Sequence, residues 1–146
     1  MELAKLAYLA GFFDGEGCIY IPRARKKGNM FFNLEISFTG SDIAPLLFAQ
    51  EAFQGQISTS THDRPDRKDV HRLRIRSNQA RVALEEMLPL LIVKKQRAVL
   101  GIEFQSKLCL AGTSGKRSLS IDECEQYKTA ITSMNDKIWN RDKLLP

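Results

Sequence analysis

Cysteine and histidine are scarce in this sequence, and their scarcity excludes the common ways of stapling a chain. The three cysteines, Cys18, Cys109 and Cys124, are odd in number and far apart, with no C-x-x-C pair. His62 and His71 complete no zinc ligand set with them. Scattered thiols of this kind predict reduced cysteines in an intracellular compartment. Long apolar runs are missing too: nothing approaches the roughly 20 residues that a membrane helix needs. The N terminus enters an Ala/Leu-rich segment carrying Glu2 and Lys5, without the pattern of a secretory signal or of an Arg/Ser-rich transit peptide. The expectation is a soluble protein that is not secreted and has no membrane partner.

What remains is the composition of one globular domain. The 146 residues are 43% hydrophobic and 27% charged, enough to build a core. The expected domain is 1–146, with a core over about 3–110 and a C-terminal helical region over about 118–146. The net charge of +5 is a mild push toward polyanions. Its distribution says more. Arg23, Arg25, Lys26 and Lys27 form one cluster, and Arg64, Arg67, Lys68, Arg72, Arg74 and Arg76 a second.

Apolar periodicity predicts a helix over 3–14, ended by Gly15 and Gly17. Residues 18–22 alternate as a strand. A basic loop over 23–29 then closes with a Gly28-Asn29 turn. In the next strand Phe32, Leu34, Ile36 and Phe38 oppose Asn33, Glu35, Ser37 and Thr39. Ser41 is placed to cap a helix over 42–54, with Pro45 tolerated in its first turn. Strands over 56–62 and 70–77 follow, joined by the charged loop 63–69; in the second, Leu73 and Ile75 alternate with three arginines. Asn78 begins a helix that Pro89 breaks. A long helix over 94–110 comes next, and Ser120 with Glu123 forms a capping box for a last helix reaching about Trp139.

The order αββαββα predicts an α+β fold, an antiparallel four-stranded saddle sheet with helices on one face. The other face would be polar and basic. Such a face can lie in the DNA major groove. Periodicity alone fits an ordinary sheet with one solvated face equally well.

Ala7, Gly11 and Gly15 recur at i, i+4 and i+8, leaving one stripe of the first helix almost bare. Bare stripes let two helix backbones approach closely. The surrounding segment, Leu9-Ala10-Gly11-Phe12-Phe13-Asp14-Gly15-Glu16-Gly17, resembles the LAGLIDADG motif that names a family of homing endonucleases. The resemblance covers about residues 6–105. With a single copy of the motif and no internal repeat, the partner helix must come from a second identical chain. That predicts an isologous homodimer whose interface includes Ala7, Ala10, Gly11 and Asp14.

The resemblance implies that Glu16 is the metal-binding catalytic acid and that the Gly15 carbonyl is a further ligand. Asp14 reads as a structural residue of the helix end. Oxygen-only ligands suit Mg²⁺ or Mn²⁺. Lys94, with Lys95 second, matches the family's basic residue near the scissile phosphate, and Asp42 matches a residue that positions active-site water. Tyr20, Asn33, Glu35, Ser37, Thr39, Arg72, Arg74 and Arg76, joined by Ser58 and Ser60, are the expected base-facing positions. As loop residues, Arg23, Arg25, Lys26, Lys27, Arg64, Arg67 and Lys68 are expected on phosphates of double-stranded DNA. The implied reaction is a staggered double-strand break in a near-palindromic site, in a bacterial or phage cytoplasm, a chloroplast or a mitochondrion. Two alternatives use the same scaffold: a maturase binding intron RNA, and a non-cleaving DNA-binding regulator.

Overall fold

Helix α1 runs Leu3–Glu16, two residues past the expected end. Gly15 is carried inside the last turn, and the break falls at Gly17, whose N–H donates to the Phe13 carbonyl. A Cβ on Gly17 would lie 2.1 Å from the Phe13 ring, so the chain can turn under that ring only without a side chain. The computed structural model describes residues 1–109 and 119–136.

Strand β1, Gly17–Tyr20, leaves the helix directly, and β4, Glu35–Gly40, returns beside it. Between them lie β2, Arg23–Lys26, and β3, Asn29–Phe32, which form a two-stranded ribbon of their own. This corrects the expected basic loop over 23–29. Lys27 and Gly28 both have positive φ, 50° and 81°, the signature of a tight turn that matches strand twist. The turn is therefore Lys27-Gly28, and Asn29 already belongs to the strand. The ribbon separates from the main sheet for two reasons. Pro22 has no N–H to give a ladder. The backbone of Leu34 bonds elsewhere: its N–H donates to Gln105 Oε1 at 3.0 Å, and its carbonyl accepts from the Ser77 N–H at 2.7 Å.

Helix α2 covers Ala44–Phe53. Asp42, rather than Ser41, serves its first turn, with Oδ1 accepting from the Ala44 N–H at 3.0 Å. Strands β5, Gln56–Ser60, and β6, Val70–Arg76, make the second hairpin. Helix α3 is Ser77–Met87, followed by a 3-10 turn over Leu88–Leu90 at Pro89. Helix α4 is Lys95–Cys109, and α5 is Ile121–Asp136. The capping box at α5 forms as expected, the Glu123 N–H donating to Ser120 Oγ at 3.1 Å. The expected extension toward Trp139 lies outside the described residues.

The main sheet has the order β1-β4-β6-β5, antiparallel throughout, as the two predicted hairpins require. Ile19, Ile36, Phe38, Leu73 and Ile75 are fully buried on one face of the sheet, and Leu34, just before β4, is buried with them. Phe38 stacks on Phe12 at 5.7 Å and packs against Phe13 at 5.1 Å, which seats α1 on the sheet centre. The free edge of β1 is covered by α5: Asn135 Nδ2 donates to the Ile19 carbonyl and Lys128 Nζ to the Ile21 carbonyl. An open strand edge is a template for aggregation, and these side chains close it. Arg23 ties the ribbon to the same helix through Glu125, at 2.7 Å.

Candidate active site and nucleic-acid interface

The C-terminal end of α1 gathers the residues nominated for chemistry. Helix geometry puts Phe12 and Glu16 on one side and Asp14 nearly opposite. Glu16 is exposed, and with Phe12, Thr39, Gly40, Ser41, Asp42 and Pro45 it lines a cleft of about 300 Å³. Glu16 and Asp42 are thus brought together, although Asp42 also holds the first turn of α2.

Lys94 sits on the other flank. It is only 6% exposed. Asp14 clamps the segment that carries it: Oδ2 accepts from the Ile92 N–H at 2.7 Å and Oδ1 from the Lys94 N–H at 3.0 Å. The Lys94 ammonium turns back to donate to the Asp14 carbonyl. Burial holds this ammonium below the ordinary lysine value and Arg97 pushes the same way, while Asp14, Cys18 and Glu16 oppose them. Lys95 is exposed at the start of α4. These bonds tie the expected structural residue, Asp14, to the segment before α4.

The donor set at the helix end fits a hard cation. The last carbonyls of a helix lack intrahelical donors and carry its negative partial charge. Phe13's is taken by Gly17 and Asp14's by Lys94, and Gly15 follows them in the same turn beside the exposed Glu16 carboxylate. Among the described residues no three His, Cys, Asp or Glu side chains converge as a ligand cluster. Among the described residues the cleft thus offers the Glu16 and Asp42 carboxylates beside backbone oxygen.

The bare stripe divides differently from the expectation. Ala7, Gly11 and Gly15 are exposed, and a Cβ on Gly11 or Gly15 meets nothing within 4 Å. Ala10, however, is fully buried in the chain's own core, and Asp14 faces the start of α4. Tyr8 and Leu3 join the exposed stripe instead. On the side of its small residues α1 thus carries exposed Leu3 and Tyr8, and the Tyr8 ring meets Phe48 of α2 edge-on at 5.5 Å.

On the sheet face opposite the core, register aligns the nominated residues into rungs. Tyr20 pairs with Glu35 and Glu35 with Arg76; Cys18 pairs with Ser37, then Arg74, then Gln56; Thr39 pairs with Arg72, then Ser58. Ser60 continues the face on β5, opposite Val70. Cys18 and Gln56 were missed as members, although the same alternation runs through them. Burial raises the Cys18 thiol, with Lys94, Arg72 and Arg97 partly opposing.

Three of the expected base-facing residues need correction here. Glu35 and Ser37 point to the outward face but are 4% and 1% exposed, because the long side chains beside them cover them. Glu35 accepts a short hydrogen bond from the Tyr20 hydroxyl and ion-pairs with Arg74 and Arg76. Burial and then Glu35 itself raise the Tyr20 phenol far above its usual value. Ser37 Oγ and Arg74 Nε are buried with no hydrogen-bond partner among the described residues. Asn33 falls in the break between β3 and β4, where Nδ2 donates to the Leu34 carbonyl and to Ser77 Oγ, off the rungs. Arg25, Lys26 and Lys27 are exposed on the ribbon and its turn, whereas Arg23 is engaged by Glu125. Arg64, Arg67 and Lys68 are exposed in the loop between β5 and β6.

No described helix is long and apolar enough to cross a membrane. Comparison with curated proteins yields no match. Solved structures do resemble the chain. The homing endonuclease I-CvuI, in complex with a DNA target in the presence of magnesium, has a TM-score of 0.62 at 16% identity over 90% of this chain and 95% of that one. An archaeal intron-encoded homing endonuclease complexed with DNA has a TM-score of 0.59 at 16% identity, over 90% and 97%. The LAGLIDADG homing endonuclease I-GzeII, also with a DNA target, has a TM-score of 0.62 at 19% identity, over 90% of this chain but 44% of its own. At these identities the likeness is one of fold. The sequence itself carries the assignment: the LAGLIDADG endonuclease family matches residues 9–88, from within α1 through the end of α3, and the chain belongs to that family.

Proposed function

We propose that this chain is a homodimeric, divalent-metal-dependent DNA endonuclease that makes a staggered double-strand break in a long, near-palindromic site. The observation that carries the reading is the position of Thr39. It lines the cleft of Glu16 and also belongs to the outward rung with Arg72 and Ser58, so the acid and the arginine face share a border. The solved structures of this fold named above were determined with DNA.

The dimer is inferred from the exposed stripe of Ala7, Gly11 and Gly15, where a Cβ on either glycine meets nothing within 4 Å among the described residues. Packed on its two-fold copy, each α1 would bring its Glu16 close to the partner's. Two carboxylates at such a distance repel unless cations lie between them. Glu16 and the Gly15 carbonyl would hold Mg²⁺ or Mn²⁺, which supplies Lewis-acid stabilisation of the phosphodiester and an activated water. Asp42 shares the Glu16 cleft and orients water there. Lys94 places a buried positive charge at the end of α1, where it opposes the build-up of negative charge at the reacting phosphate.

Recognition falls to the sheet. Arg72, Arg74, Arg76, Ser58, Ser60, Thr39 and Gln56 present hydrogen-bonding groups to base edges in the major groove. Arg25, Lys26, Lys27, Arg64, Arg67 and Lys68 lie on the ribbon and loop at the margins and hold phosphates, which adds affinity and salt sensitivity. The test is to incubate the protein with a randomised duplex library and Mg²⁺, then sequence the cut ends. Paired cuts on both strands at one near-palindromic site are expected. Tight binding to one duplex or to an intron RNA, with no cuts, would replace the nuclease with a regulator or a maturase.

A further inference from the structure

Glu35 is a carboxylate where a DNA-binding face should least tolerate one. It begins β4, an inner strand of the sheet, in the end rung with Tyr20 and Arg76 and next to the rung of Arg74. Its side chain is 5% exposed, so it does not reach out of the sheet. Its oxygens are divided between its neighbours. Arg74 Nε lies 3.6 Å from Oε1, which also accepts the Tyr20 hydroxyl, and Arg76 Nε lies 3.3 Å from Oε2. Both arginine side chains remain about half exposed, at 41% and 54%.

A guanidinium offers two usable edges: the side edge containing Nε, and the end formed by the two terminal nitrogens. Glu35 faces the Nε side of both arginines. The terminal ends remain, on side chains that stay about half exposed. A pair of parallel N–H donors presented end-on matches O6 and N7 of guanine in the major groove. Strand β6, which carries both arginines, lies inside the sheet between β4 and β5. Its side chains therefore project toward the groove floor, while phosphates run along the margins.

We propose that Glu35 is a positioning residue for specificity, holding Arg74 and Arg76 side by side so that their guanidinium ends read two guanines, and that it contacts no base itself. The inference rests on the reading that this sheet face binds DNA. Tyr20 is part of the device: its hydroxyl donates to the carboxylate from the β1 side. The buried negative charge has a second effect. It offsets part of the arginines' attraction for any phosphate, which lowers binding to arbitrary DNA relative to the true site.

The experiment is selection of retained duplexes from a randomised library with EDTA present, so that binding is read without cutting. Wild type, Glu35→Gln, Tyr20→Phe, Arg74→Ala and Arg76→Ala are compared, and the two arginine variants assign the positions that each arginine reads. Glu35→Gln should keep the rest of the site but lose about tenfold of the guanine preference at those two positions. Its binding to arbitrary DNA should tighten a few-fold. Tyr20→Phe should show a smaller loss at the same two positions. A changed preference at a third position, with the arginine positions intact, would make Glu35 a base reader and overturn the proposal. A lower melting temperature with unchanged preferences would make it a structural ion pair and overturn it equally. If Glu35→Gln does not fold, Tyr20→Phe decides, and unchanged preference there overturns the proposal. A wild type that selects no site at all would sink the DNA reading, and this inference with it.

Discussion

Asp14 and Lys94 hold each other twice: the Asp14 carboxylate accepts the Lys94 backbone N–H at 3.0 Å, and the Lys94 ammonium donates to the Asp14 carbonyl. The clasp fixes the end of α1 to the start of α4. It also sets the distance between Glu16, two residues after Asp14, and the buried ammonium.

The clasp predicts that Asp14→Ala is costly despite the half-exposed position of the side chain. Two N–H groups, of Ile92 and Lys94, lose a charged acceptor. Hydrogen bonds to charged groups stabilise by about 1.5–3 kcal/mol each, and water can replace the one at exposed Ile92, so a loss of about 2–3 kcal/mol is expected. Urea unfolding measures it. A loss below about 0.5 kcal/mol would show that the clasp is not a structural element.

Lys94→Met keeps the aliphatic stem buried while removing the ammonium. Under the proposed mechanism it leaves DNA affinity within a few-fold and slows cleavage by about a hundredfold, the usual cost of one stabilising charge in an active site. Single-turnover cleavage alongside a binding titration separates the two. Equal losses in both would move Lys94 from chemistry to binding.

Much of this was legible in the residues. The alternation of Leu34, Ile36 and Phe38, and of Leu73 and Ile75, places both hairpins and selects the buried face of the sheet. The motif around Glu16 carries the family. What alternation does not encode is height above the sheet. It puts Glu35 and Ser37 on the outward face correctly, but their burial depends on arginine and tyrosine side chains from neighbouring strands arching over them. The ribbon turn was displaced by one residue because Lys27 adopts a positive φ, which its side chain gives no reason to expect. The role of Asp14 was half legible. A helix-end aspartate was expected to be structural, but its partners lie 78 and 80 residues away, and no local pattern points to them.

Gly11→Leu separates folding from assembly. A Cβ at Gly11 meets nothing within 4 Å among the described residues, and Leu is the better helix former by up to about 1 kcal/mol. The monomer should therefore fold at least as well. In the proposed dimer the same side chain stands between two α1 backbones, and sedimentation equilibrium should show dimerisation weakened, with the dissociation constant raised tenfold or more. A variant that stays as dimeric as wild type would place the dimer seam elsewhere.

The central claim is that Glu16 holds the metal that cuts DNA, and the most direct measurement is cleavage of the selected site by wild type and Glu16→Gln at increasing Mg²⁺. Glutamine keeps the shape and the exposed position, so the variant should fold and bind the same site with similar affinity while cutting neither strand at any Mg²⁺ concentration. Wild-type cutting that persists in Glu16→Gln, with the same Mg²⁺ dependence, would contradict the account.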